Sequence, residues 1–228
     1  MANFIVCLAH FCELHGPSSI ICTQICTREE KDQYILPSTS KLQTCASCKL
    51  HLPGENANLT TSGDSGSQTM FISTQYPTSQ SRFVALTKLI MKSLSVETSS
   101  DITKPMFFGG TVYGYCIHKI FKIKDPNARG SERKYSLMVI SDEELDLVKN
   151  WNIVNLYLTE IISLIQKQVD LTVENNLKNP AESTGILDER YLRRAVVKPK
   201  SLLELTGDPQ IFVKFHLWAV ELLTDICK

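Results

Sequence analysis

"VYGYCIHKIFKIK", residues 112–124, is the clearest strand in this chain. Tyr113, Tyr115, Ile117, Phe121 and Ile123 fall on one face, while Gly114, Cys116, His118, Lys122 and Lys124 fall among the other. "KYSLMVI" (134–140) follows as its natural partner, which makes the pair a hairpin. Hairpins are usually closed by two to five residues, and here the polar link "DPNARGSE" (125–132) runs to about eight. Between Lys122 and Lys134 it holds five basic and two acidic residues, and Pro126, Asn127 and Gly130 disfavour helix. Arg129 stands near the tip between Ala128 and Gly130, small neighbours that leave a guanidinium free to project.

Upstream, "NFIVCLAHFC" (3–12) is an almost continuous apolar run, suited to a central strand buried on both faces. "HGP" (15–17) punctuates it, Gly16 being able to take positive φ and Pro17 to open a strand. "SSIICTQICT" (18–27) then reads as a second, antiparallel strand. Residues 37–69 are rich in Ser, Thr, Gly and Asn without apolar period, and read as a long mobile insertion. "MFIST" (70–74) is a short extended piece. A helix follows with Phe83, Leu86, Ile90 and Leu94 on its stripe, and "PMFFGG" (105–110) is a short strand.

"SDEE" (141–144) has the form of a capping box. It opens a helix carrying Leu147, Trp151, Val154, Leu158, Ile161, Ile165 and Val169. After an irregular stretch from about 172 to 207, Asp208-Pro209 starts a last helix with Ile211, Phe215, Trp218, Leu222 and Ile226 inward. Hairpin-linked strands with segregated helices predict an α+β fold. The expected organisation is a domain over residues 1–170, with residues 171–228 packed on its core.

Composition narrows the function classes. Of 228 residues, 24 are Lys or Arg and 24 are Asp or Glu, which argues against a large nucleic-acid surface. No run approaches the 18 apolar residues of a membrane span, and the first residues lack the basic start of a signal peptide. The eight cysteines therefore read as reduced thiols, most of them in apolar strands.

Two clusters invite chemistry. "HFCELHGP" (10–17) sets Cys12 between His10 and His15, but a thiol enzyme needs a third group and a local signature, and neither is visible. "CASCKLH" (45–51) offers Cys45, Cys48 and His51, half of a zinc site. With no second C-x-x-C, free thiols are the simpler reading and Cys45 and Cys48 weak metal candidates; a zinc shared with a partner stays open. His118 and His216 read as satisfied core histidines, and the basic stretch 189–200 as a solvated loop.

The ordered set "HFCELHGP", "CT" (22–23), "CASC", "FISTQYP", "KSLS", "FFG" and "IKD…ARG…YS" resembles the folliculin family from the N-terminus to about residue 170. With no DENN-type segment in view, the chain is most similar to the short, fungal-type members. The resemblance implies a longin domain with a five-stranded antiparallel sheet. It also implies heterodimerisation with a folliculin-interacting-protein-like longin/DENN partner. Such a complex stimulates GTP hydrolysis by a Rag-type GTPase heterodimer, in amino-acid signalling to the TOR pathway. The chain would then be cytoplasmic, recruited to the vacuole or lysosome membrane through partners, with no cofactor. The family's catalytic arginine falls on Arg129, an arginine finger rather than part of an enzyme with its own substrate. Ser131 and Lys134 depart from the aromatic residues of animal members. The alternative is a non-catalytic longin scaffold in trafficking of amino-acid permeases.

Overall fold

In the computed structural model, the described residues are 3–37, 45–54, 57–63, 68–95, 104–126, 128–178 and 199–228. The hairpin read from the sequence is there: β6 (Gly114–Lys124) pairs with β7 (Glu132–Ser141), Ile117 facing Val139 and Lys124 facing Glu132. β1 (Ile5–Cys12) lies antiparallel to β7 on one side and to β2 (Gly16–Thr27) on the other. β3 (Leu59–Ser62) and β4 (Thr69–Thr74) extend the sheet beyond β2, and β5 (Met106–Gly110) closes the far edge against β6. The result is an antiparallel sheet of seven strands in the order β3-β4-β2-β1-β7-β6-β5. The class is α+β as expected, but the sheet has seven strands rather than five.

The added strands explain the difference. β4 is the extended piece at 70–74, recruited into the sheet by pairing with β2. β3 lies inside the stretch expected to be a mobile loop. "LTTS" has no apolar alternation of its own, so pairing with β4 decides its conformation. Asn58 ties the start of this strand down: its amide accepts from the Leu36 N–H at 2.9 Å and donates to the Leu36 carbonyl at 3.0 Å. Cys48 and Leu50, in the same stretch, are buried. Residues 38–44, 55–56 and 64–67 of that stretch, like the basic run 189–198, lie outside the described residues.

The alternation of β1 assigns two faces. Phe4, Val6 and Leu8 join Leu137, Val139, Ile117 and Phe121 in the larger core cluster. Covering that face are α3 (Glu144–Lys149), α4 (Trp151–Lys178), α5 (Leu202–Thr206) and α6 (Ile211–Ile226). Ile5, Cys7 and Ala9 pack on the other face against Leu86, Leu89, Ile90 and Leu94 of α2 (Gln80–Ser95). A one-turn helix, α1 (Lys31–Tyr34), sits beyond the end of β2. The last two helices thus belong to the same core as the sheet.

Helix ends differ from the sequence expectation. The predicted long helix is two, broken at Asn150, whose side chain donates to the carbonyls of Asp146 (2.8 Å) and Ile226 (3.4 Å). The apolar stripe survives the break, with Leu147, Val154, Leu158, Ile161, Ile165 and Val169 all buried. Ser141 does not cap by a box; its hydroxyl accepts from the Glu143 N–H and donates to Asp146. The capping box occurs instead at Ser201 and Glu204, opening α5 in the stretch expected to be irregular.

One irregularity in the sheet matters below. Leu8 faces Ile21 but Ala9 faces Ser19, so Ile20 is an extra residue, a β-bulge. Two histidines lock the helices to the sheet. His216 of α6 bonds Ser73 and Thr61 at 2.7 Å each, and His118 of β6 bonds Ser93 of α2 at 2.7 Å. Both are the buried, satisfied histidines the sequence suggested.

Candidate functional site

Antiparallel register sends two features to one end of the sheet. His10 of β1 faces Tyr135 of β7, so the β1–β2 turn after Cys12 and the β6–β7 loop before Arg133 emerge side by side.

The β6–β7 loop is compact. Asp125 N–H donates to the Ser131 carbonyl at 3.0 Å, Ala128 N–H to Asp125 at 2.9 Å, and Ser131 N–H to Ala128 at 2.9 Å. Arg129 opens a one-turn 3₁₀ helix that ends at Ser131. Gly130 (φ 79°) and Ser131 (φ 59°) are both left-handed, a conformation glycine takes freely and serine resists. Ser131 is held there by its own backbone bonds, and an ion pair joins the two ends of the same loop. Arg133 Nε donates to Asp125 Oδ2 at 2.5 Å, with the Asp125 side chain fully buried and that of Arg133 10% exposed. Removing one partner would strand a buried charge, so the pair fixes the loop strongly even if its net contribution is small. Sequence reasoning gave Asp125 no role, because only the fold shows that the acid is buried.

Beside this loop, residues 45–54 fold over the β1–β2 turn. The Cys48 N–H donates to the Cys45 carbonyl at 3.1 Å, closing a tight turn. Cys45 Sγ lies 3.5 Å from Cys12 Sγ and 3.6 Å from Cys48 Sγ. His15 Nδ1 lies 3.7 Å from Cys12 Sγ and 3.5 Å from Cys48 Sγ. All four ligand atoms fall within 4.8 Å of one another. The half site read at Cys45 and Cys48 thus meets another half, Cys12 and His15, which the sequence assigned to a strand end. The signal was present as two x2-spaced pairs, but their union is a long-range contact. His51 is not part of the set; its Nε2 is 3.3 Å from the Ala46 carbonyl.

The electrostatics are those of crowded, half-dry thiols. Burial opposes ionisation of Cys45. Hydrogen bonds from Ser47, the Cys48 backbone and the neighbouring thiols outweigh it and bring the group down to about 6. Cys48 is pushed up to about 12, by burial and by the sulfurs of Cys12 and Cys45 beside it. His10, with Nε2 3.2 Å from Cys48 Sγ, is lowered to about 3 by burial, then by the charges of Arg133 and His15. Arg133 is thus close enough to be felt on both sides of this end. A cavity of about 480 Å³ lies at the opposite end, beside Phe4 and Ile226, away from both features.

The chain matches, over residues 69–226, the family model "Folliculin: Vesicle coat protein involved in Golgi to plasma membrane transport". The chain belongs to the folliculin family. It is 30% identical to Protein LST7 of Saccharomyces cerevisiae, over 99% of this chain and 97% of that protein. It is 25% identical to mouse folliculin over 94% of this chain but only 44% of folliculin. With the folliculin-like protein bhd1 of Schizosaccharomyces pombe it shares 27% identity, over 56% of this chain and 38% of that protein. It is therefore a short, fungal-type folliculin-family member, with a folliculin-type role in trafficking and signalling.

Proposed function

We propose that this chain is a GTPase-activating subunit whose Arg129 enters the active site of a Rag-type GTPase. What carries the reading is the β6–β7 loop of a folliculin-family chain: an arginine on a short turn, made rigid by a buried ion pair and three backbone bonds. Phosphoryl transfer demands positioning and charge stabilisation more than covalent chemistry. A guanidinium offers a planar fork of donors that bridges phosphoryl oxygens as negative charge shifts in the transition state. A rigid mount lowers the entropy lost on inserting it. The chain supplies this group in trans and binds no nucleotide of its own in this scheme.

The subunit works as a heterodimer with a folliculin-interacting-protein-like longin partner, at the vacuole or lysosome, in amino-acid signalling to the TOR pathway. Among the described residues β3 and β5 are the edges of the sheet, and with exposed Leu145, Val148, Ile153, Leu156 and Leu164 along α3 and α4 they offer surface for that partner. Among the described residues no helix is long and apolar enough to cross a membrane.

The test is single-turnover GTP hydrolysis by a Rag-type heterodimer, with the partner complex carrying either the native chain or Arg129→Ala. Acceleration by the native complex alone, at equal GTPase binding, supports the finger. Equal hydrolysis with both leaves the adaptor reading, which the family's description in Golgi to plasma membrane transport favours.

A further inference from the structure

We propose that Cys12, His15, Cys45 and Cys48 form a structural zinc site that clamps the 45–54 turn onto the β1–β2 turn. The inference is independent of the GTPase reading. A tetrahedron with metal–sulfur bonds of about 2.3 Å and metal–nitrogen bonds of about 2.0–2.1 Å has edges of about 3.8 Å between sulfurs and about 3.5 Å between sulfur and nitrogen. Four of the six edges here are 3.5, 3.6, 3.7 and 3.5 Å. Ordinary thiol packing does not require four donors to converge on one point from two separate turns.

The donor set selects the metal class. Three thiolates and an imidazole suit zinc, and four protein ligands close the coordination sphere, as in structural rather than catalytic sites. A disulfide is the competing chemistry, but sulfurs 3.5 and 3.6 Å apart are far from the bonded distance of about 2.05 Å. Cys45 is also nearly equidistant from Cys12 and Cys48, so no pair is singled out.

The surroundings are those a thiolate cluster needs. Leu14 N–H donates to Cys12 Sγ at 3.4 Å, Ser47 Oγ is 3.1 Å from Cys45 Sγ, and Ser18 Oγ is 3.4 Å from Cys48 Sγ. His10 Nε2, at 3.2 Å from Cys48 Sγ, adds a further donor in the tautomer that protonates it. Donors to ligand sulfur orient the ligand and spread its charge. Binding exchanges Zn²⁺ for the three thiol protons, leaving a site of net charge −1. His15 is exposed, which gives the ion a way in. The need is physical as well: the 45–54 turn buries little apolar surface, chiefly Cys48 and Leu50, and a metal cross-link supplies what the core does not.

The full chain, purified without chelator, should carry about one zinc per chain by elemental analysis, and Cys45→Ser or His15→Ala should leave less than about a tenth of that. His15→Cys should keep the metal, which separates loss of a ligand from loss of the fold. Cobalt exchanged into the native chain should show thiolate-to-cobalt charge transfer and tetrahedral visible bands, absent in Cys45→Ser. Chelation should lower the melting temperature of the native chain and not that of Cys45→Ser. Native chain free of metal even after zinc reconstitution, or zinc that stays in Cys45→Ser, overturns the proposal; so does copper or iron at full occupancy.

Discussion

The arginine loop and the cysteine turn leave the same end of one sheet and are held by opposite means. The loop's restraints lie within nine consecutive positions, Asp125 to Arg133: three backbone bonds and one buried ion pair. The turn has one backbone bond of its own and the short contacts of Ser47 with Cys45 and of His51 with the Ala46 carbonyl; its other ties reach across about thirty residues of chain, to His10, Cys12, His15, Ser18 and Gln75. A locally closed loop forms with the hairpin that carries it. A turn tied mainly at a distance forms after the sheet has brought both sides together. The two should therefore fail differently when disturbed.

The largest effect expected is at the loop tip. Such fingers are worth about 10³ to 10⁵ in rate, so Arg129→Ala should cost the activated GTPase roughly 4–7 kcal/mol of barrier lowering. Arg129→Lys should not restore it, since an ammonium lacks the fork. Urea unfolding of either variant should match the native chain, and a large stability loss would mean that Arg129 holds the loop rather than projecting from it.

Next come the two residues under the tip. Asp125→Ala or Arg133→Ala each leaves a buried charge unpaired and should cost about 3–5 kcal/mol in unfolding free energy. Replacing both, as Asp125→Leu with Arg133→Met, should cost clearly less than either single change. If the single changes cost under about 1 kcal/mol, the pair is not what makes the loop rigid.

Acid should act on the scaffold shared by both features. Burial lowers His216 to about 4; burial and then the charge of Lys134 lower His118 to about 4. Both folded values lie below the unfolded value of about 6.5, so as pH falls the unfolded chain takes up protons first. Stability is complete above about pH 6.5 and is lost as pH drops toward 4, by about 2 kcal/mol per histidine at pH 5. Denaturation midpoints measured from pH 7.5 to 5 should fall less in His216→Gln or His118→Gln than in the native chain, relative to each variant's own value at pH 7.5. An equal fall in all three would remove these histidines from the account.

The smallest effect is expected at the last rung of the hairpin. Lys122 and Glu132 pair at 2.9 Å with both side chains about half exposed. Glu132→Gln should change stability by less than about 1 kcal/mol and leave GTPase activation intact.

The same contrast explains what could be read from the sequence. β1 and β2 were legible as apolar runs divided by His15-Gly16-Pro17, and β6 and the stripes of α2, α4 and α6 by their own period, which burial respects. β3 was not, since Leu59-Thr60-Thr61-Ser62 is strand only because β4 is beside it. Arg129 was singled out by a contiguous motif between two strong strands, and the role proposed for it comes from the family resemblance. The cysteine site was read as two unrelated fragments, because periodicity cannot say which turn lies next to which. The Ser141 box failed for a related reason: its hydroxyl is drawn to Glu143 and Asp146, and helix α3 starts later.

The bulge at Ile20 sets the phase of everything beyond it. Inward of it Ile21 lies opposite Leu8, and outward Ser18 lies opposite His10; continuous pairing would bring Ser19 there instead. The one extra residue uncouples the two halves of β2, so the half that fills the core and the half that faces the sulfurs can each vary without dragging the other out of step. A deletion of Ile20 is then a sharper lesion than its replacement by valine. It would restore regular pairing, with Ser18 still opposite His10, but would strip from the core the buried Ile20 side chain, most of which valine keeps.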